Sequence, residues 1–183
     1  MNIIEHVEKF LGKISQGWKD TGAADGLQVV SFQNSPFEGV DAFMTIGLSR
    51  HELCISDKRK VRQELIWPVS GPNLPDLIVS CLFFICEFII KDHGPLLRGH
   101  VIRLPKEVSE RLGFDALYCA IPVFLDDDFA TFNDSQPPTV IVWLMPIYKS
   151  EADFVDANGW DKFEDMLEEE GTDLFSLMRA PII

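Results

Sequence analysis

Leu77–Ile90 reads LIVSCLFFICEFII, and no other stretch restricts the fold of this chain so strongly. A run this apolar must leave water, either by crossing a bilayer or by becoming the buried helix of a core. A span takes about 20 apolar residues. This run has fourteen, contains Glu87, and is bounded by Asp76 and Lys91. It therefore reads as a central helix from about Leu74 to Asp92, apolar all round and covered on every side. On that reading Phe84 lies in the core, where a charge would unfold the protein.

The other elements are organised around that helix. A chain of 183 residues, 46% hydrophobic, supports one sizeable core, so residues 1–183 are expected to form a single domain. Ile3, Ile4, Val7, Phe10, Leu11 and Ile14 share a helical face, with Gly17 as a stop. Leu27–Phe32 is a strand candidate. Val40, Ala42, Met44, Ile46 and Leu48 alternate with Asp41, Phe43, Thr45, Gly47 and Ser49, a strand with one strongly buried face. Ser56–Lys60 turns the chain into Val61–Val69. Strands around Leu97–Leu104, Leu117–Leu125 and Thr139–Tyr148 follow, with a short helix at Lys106–Gly113 and two acidic helices at the end. About six strands without regular β-α alternation predict an α+β fold, with helices flanking a central, mostly antiparallel or mixed sheet.

The segment 143–159, WLMPIYKSEADFVDANG, joins the last strand to the first acidic helix. Val140–Met145 is apolar at every position, as in a strand covered on both faces. Pro146 has no N–H for a ladder and marks the end of central pairing. Ser150 and Asp153 have the spacing of a capping box, and Asn158-Gly159 stops the helix.

The net charge of −13 is concentrated in one region. Residues 126–173 hold fourteen acids against Lys149 and Lys162, a balance of −12, and the remainder is nearly neutral. This argues against nucleic acid as a direct ligand, because phosphate contacts need basic surface, and it suits a basic protein partner. Solubility alone would also account for a charged face. Lys58-Arg59-Lys60 with Arg62 is the one basic cluster, without interleaved aromatics, and reads as a solvated turn. The N-terminus alternates charge with apolar residues at helical spacing and has no secretory leader pattern, so a cytoplasmic location is expected.

Familiar chemistry is missing from the chain. It has no glycine-rich phosphate loop, no G-x-S-x-G elbow and no H-E-x-x-H. Cys54, Cys81, Cys86 and Cys119 lie in or beside apolar runs and read as small packed hydrophobes, not as a disulfide framework. His51 and Cys54 are two ligands where structural zinc wants four, and His93 and His100 lack partners at a regular spacing. Asp126, Asp127, Asp128 and Asp134 could hold a hard cation, yet the loop lacks the spacing of a calcium site. None of the nine lysines has an acid two residues before it, as a metal-dependent nuclease of the carboxylate-x-lysine type requires. No enzyme, cofactor or metal site is expected.

The strand GVDAFMTIGLS (39–49), then RQELIWPV (62–69), the apolar helix, HGPLLRGHVIRLP (93–105), ALYCAIPVF (116–124) and VWLMPIYKSEADFVDANG (142–159) resemble, in that order, the Suppressor of fused-like family in its short bacterial form. The resemblance covers most of the chain from about residue 39, and a strand ending in Pro-Ile before an acid-led helix is its most specific piece. It implies a central sheet flanked by helices. Animal members are two-lobed regulators that clamp an extended segment of a transcription factor, and this chain has the length of the N-terminal lobe. Short bacterial members resemble immunity proteins of polymorphic toxin systems, many directed at nuclease toxins. The resemblance thus implies a stoichiometric binder of a toxin domain. The acid-rich region would then meet the partner, with Asp126, Asp127, Asp128, Asp134, Glu151 and Asp153 as the expected partner-binding acids. A peptide-clamping regulator and a metal-dependent hydrolase using the acidic loop are the alternatives.

Overall fold

The two strands richest in large apolar side chains lie side by side at the middle of the fold. In the computed structural model, which describes residues 1–183 apart from 23, 25, 73 and 93, the chain runs α1 (Ile3–Leu11), β1 (Gln16–Trp18), β2 (Gln28–Phe32), β3 (Asp41–Ile46), β4 (Leu53–Ser56), β5 (Arg59–Val69) and α2 (Pro75–Asp92). It continues through β6 (Val101–Arg103), α3 (Lys106–Leu112), β7 (Ala116–Ala120), β8 (Thr131–Phe132), β9 (Thr139–Ile147), α4 (Lys149–Asn158) and α5 (Trp160–Glu170). The nine strands make one mixed sheet ordered β1-β2-β3-β5-β9-β7-β6, with β4 on β5 and β8 on β9. Among these strands only β5 and β9 pair in parallel, from Arg62 opposite Thr139 to Ile66 opposite Trp143. The α+β class and mixed sheet agree with the sequence. The strand number exceeds it because β1, β4 and β8 are two to four residues long, too short to show a period.

Helices cover both faces of the sheet. Val29, Phe43, Leu65, Trp67, Leu117, Cys119 and Leu144 pack toward α2 and α3, while Val30, Met44, Ile66, Tyr118, Trp143 and Ile147 pack toward α1, α4 and α5. Because β3 lies inside this sandwich, Ala42 through Ile46 are buried on both faces, not on the one face that the alternation suggested. Thr45 is buried there as a polar bridge. Its hydroxyl donates to Glu64 Oε2 at 2.6 Å and accepts the Leu65 N–H at 2.8 Å. Glu64 is fully buried and also accepts the N–H groups of Gly47 and Ser49, at 2.8 and 3.1 Å. Burial pushes its carboxyl above the usual range, against the pull of those donors.

Three local expectations change. Helix α1 ends at Leu11 on Gly12, and Gly17 sits inside β1 instead of stopping a helix. Pro146 lies within β9, opposite Leu117 of β7, whereas pairing with β5 has ended at Trp143. The missing N–H therefore falls on the side that β5 has left, where no ladder bond is lost. Cys54 is exposed on β4, while Cys81, Cys86 and Cys119 are buried as packed thiols, and all four are free.

Helix α2 is apolar all round but not covered all round. Ile78, Leu82, Cys86 and Ile89 face the sheet, yet Phe84 and Phe88 are 59% and 61% exposed on the opposite side. Phe84 is thus a surface residue, and the expectation that a charge there unfolds the protein does not hold. No helix among the described residues is long and apolar enough to cross a membrane. Leu82→Ala should cost about 2–5 kcal/mol of unfolding free energy through its cavity. Phe84→Asp should leave a cooperative transition with a midpoint close to wild type, as measured by urea denaturation followed by circular dichroism.

Candidate functional site

After Ala120 the chain leaves the sheet earlier than expected, and residues 121–126 form a loop instead of a continued strand. The loop carries Ile121 and Val123, 44% and 76% exposed, then reaches a 3-10 turn at Asp127–Phe129. Phe129 is buried and anchors the turn against α1, where the ring N–H at Nε2 of the buried His6 donates to its carbonyl at 3.1 Å. The amino group of Met1 lies 3.2 Å from Asp134, in the next loop, between β8 and β9. His6 of α1 thus holds the turn that carries Asp127 and Asp128. Asp126, Asp127 and Asp128 are exposed and enter no ion pair among the described residues.

Beside this loop lies a cavity of about 120 Å³, open to solvent, between residues 121–123 and α5. Tyr118, Trp143 and Met145 of the sheet line it, with Leu167 and Glu168 of α5 opposite Ile121 and Val123. One side is built by a polar cluster. Arg98 forks onto Glu164 through Nε, 3.1 Å from both carboxylate oxygens, and Tyr118 donates its hydroxyl to the same carboxylate at 2.7 Å. The Arg98 guanidinium also stacks 4.4 Å over the Trp160 ring. Gly99 permits this close packing, since a Cβ there would fall 2.6 Å from the Trp160 ring at a φ of +89°. Burial, then the Glu164 carboxylate, raises the Tyr118 phenol far above its ordinary value, so it stays a donor.

Glu151 and Asp153, expected with the loop acids as surface contacts, lie elsewhere. Asp153 is exposed on α4, bound to Lys149 at 2.5 Å and to Arg103 at 2.9 Å, and the Lys149 and Arg103 cations hold its carboxyl below the usual carboxylate value. Glu151 is fully buried and removed from any partner. It grips Arg179 through two bonds of 2.6 and 2.7 Å, and accepts the backbone N–H groups of Tyr148 and Ile182. The helix cap is therefore built by Glu151 on Tyr148 N–H, not by Ser150 and Asp153. Ser150 instead donates its hydroxyl to the Ile183 carbonyl. Arg179 donates to the Pro146 carbonyl at 2.9 Å and lies between the Phe114 and Tyr148 rings.

A second surface lies along α2 and β6. The outer edge of β6 pairs with no strand among the described residues, and an apolar groove of about 590 Å³ runs beside it past Phe84, Phe88, Leu96 and Ile102. The basic cluster stands at the β4–β5 hairpin, with Lys60 and Arg62 both paired to Glu52.

Groups with catalytic potential do not converge. Burial pushes the Cys81 thiol up to about 11 and the Cys119 thiol up to about 12, so neither supplies a thiolate at neutral pH. The His51 Nε2 is buried without a partner among the described residues while Cys54 points to solvent. His100 Nδ1 accepts the Leu97 N–H, and His93 lies outside the described residues. Among the described residues no three His, Cys, Asp or Glu side chains gather as a metal site, the loop aspartates included. Sequence reasoning missed Trp143, Glu164 and Glu168 as neighbours of the loop. Their common signal, an apolar strand beside an acid-rich helix, does not say which faces meet.

Removing one member of the buried pair leaves an uncompensated charge. Glu151→Ala should lower unfolding free energy by about 3–5 kcal/mol. The same experiment on Asp153→Ala should give a far smaller change, since its partners stay in water. Denaturant melts of both variants check this.

The comparisons with known proteins fit this architecture. The family model described as Suppressor of fused protein (SUFU) matches residues 23–180. Immunity protein YqcF of Bacillus subtilis (strain 168) is 20% identical over 175 residues, covering 93% of this chain and 88% of that protein. Among solved structures, a SUFU homologue from Neisseria gonorrhoeae FA 1090 superposes with a TM-score of 0.78 at 14% identity, covering 98% of this chain and 93% of that one. A chain of the Sufu–Fu complex gives 0.74 at 12% identity, over 98% and 90% of the two chains. Drosophila Suppressor of Fused gives 0.74 at 13% identity, where this chain matches 50% of the larger protein. With the family model matching most of its length, the chain belongs to the Suppressor of fused protein family.

Proposed function

We propose that the protein is a bacterial, cytoplasmic immunity protein that neutralises a cognate toxin domain by stoichiometric binding and performs no chemistry of its own. The observation that carries this reading is the end-to-end likeness to Immunity protein YqcF. The charge of the surface adds to it. Asp126, Asp127 and Asp128 are exposed without cations among the described residues, and Glu168, Glu169, Glu170 and Asp173 are exposed at the end of α5 and just after it. A nuclease presents basic surface to its substrate, and an acidic protein can cover it, so a nuclease domain is the partner that fits best.

The unpaired outer edge of β6, beside the groove of Phe84 and Phe88, supports a second reading. There an extended segment of a partner adds a strand to the sheet, as in a peptide clamp.

Exposed charges act through a field screened over about 8 Å at physiological salt, so they act mainly on the rate of encounter. Replacing Asp126, Asp127 and Asp128 together by asparagine should leave the fold intact. It should slow association with the toxin domain encoded beside this gene, most strongly at low salt, and change dissociation much less. Stopped-flow association at two salt concentrations measures this. Equal association rates for wild type and variant at low salt would remove the three aspartates from the encounter surface. A toxin domain that fails to bind the wild-type chain, or cleavage of nucleic acid by the purified protein itself, would overturn the immunity reading.

A further inference from the structure

The cavity between residues 121–123 and α5 joins two properties, an apolar wall and an acidic rim. Its walls are apolar and open to solvent, with Val123 and Ile121 exposed on one side and Leu167 and Leu174 on the other. Its rim is acidic on both sides. The 121–126 loop runs directly into Asp126, Asp127 and Asp128, and α5 supplies Glu168 to the cavity itself before ending in Glu169 and Glu170. The one cation in the wall, Arg98, is bonded to Glu164 and only feels the field of Glu168, so the rim stays acidic, with Glu168 and the three aspartates in no ion pair among the described residues. Trp143 is 3% exposed and forms part of the apolar wall, packed against Phe124 and Phe175.

An apolar wall under an acidic rim suits a side chain with an aliphatic stem and a cationic head. Of the two such residues, arginine carries the more weakly hydrated head, which binds carboxylates through a planar fork and stacks on aromatic rings. We infer that this cavity is the anchor pocket for an arginine on a loop of the toxin partner, with the guanidinium on Glu168 and the stem between Val123 and Leu167. The inference rests on the immunity reading for the partner's identity. The pocket itself can be tested without it.

The first arm is a nuclear magnetic resonance titration with a blocked Gly-Gly-Arg-Gly-Gly peptide and with its citrulline counterpart, which keeps the shape and loses the charge. The Trp143 indole N–H and the methyl groups of Leu167 and Leu174 should shift with the arginine peptide. Binding should weaken about tenfold with citrulline, and by a similar factor in the exposed variant Glu168→Gln. Equal affinity for the two peptides, no shift at these groups, or shifts spread over the whole acidic surface would overturn the pocket. The second arm measures affinity for the toxin domain encoded beside the gene in Val123→Arg, an exposed position where folding is unaffected. Loss of at least about tenfold supports the anchor, because a resident cation blocks the incoming one. Tight binding by wild type and variant alike would overturn the anchor while leaving the immunity reading intact. Failure of the wild type to bind would sink that reading, and the peptide titration would still decide the pocket.

Discussion

The buried pair of Glu151 and Arg179 is the constraint on which the rest of the fold depends. Taking both charges out of water is expensive, and the bonds that converge on them offset that cost. Glu151 accepts from Arg179, Tyr148 N–H and Ile182 N–H, and Arg179 also donates to the Ala180 carbonyl and to the Pro146 carbonyl where β5 has left the ladder, while its Nε has no partner among the described residues. The pair therefore fixes the end of β9, the start of α4 and the C-terminal tail to one another. The tail carries the lock outward. Ser176 bridges Ser70 beyond the end of β5, and Phe175 packs 5.7 Å from Trp143 and 5.4 Å from Phe124. A charge pair on α4 thereby supports the base of the loop that presents Asp126, Asp127 and Asp128.

This arrangement decides what remains outside. With helices on both faces of the sheet, exposed apolar side chains are left at the surface, with pairs at the α2 groove (Phe84 and Phe88) and on the 121–123 loop (Ile121 and Val123). Cations are used internally. Arg62 serves Glu52 and the Ser49 and Arg50 carbonyls, Arg98 serves Glu164, Arg103 serves Asp153 and Asp156, and Arg179 serves Glu151. Acids outnumber them, so the surplus is left on the loop and on α5. The net charge of −13 is thus a surface property with a location, which is the condition for steering a partner and not merely for staying dissolved.

Much of the fold was legible in the sequence because period and length are local signals. The α2 run, the strands of β3, β5 and β9, and the Asn158-Gly159 stop were read at nearly their true places. What escaped was set by distant contacts. The alternation in β3 concealed that Phe43 is covered from α2, and the apolar run of α2 concealed that Phe84 and Phe88 face solvent. Glu151 read as surface acid because its partner lies 28 residues away, and Tyr148 is no usual cap residue. The loop aspartates were visible as charge, but the cavity beside them needs Trp143, Leu167 and Val123 from three separate elements. A one-dimensional pattern holds no record of that meeting.

Partner binding is proposed on the acidic loop and α5. Hydrogen–deuterium exchange of the chain, alone and in complex with the proposed toxin partner, tests this most directly. Protection confined to residues 121–128 and 164–174, with the α2 groove and β6 unchanged, is the predicted result. Protection along residues 84–88 and 101–103 with the acidic loop unchanged would contradict it and give the surface of interaction to the β6 edge.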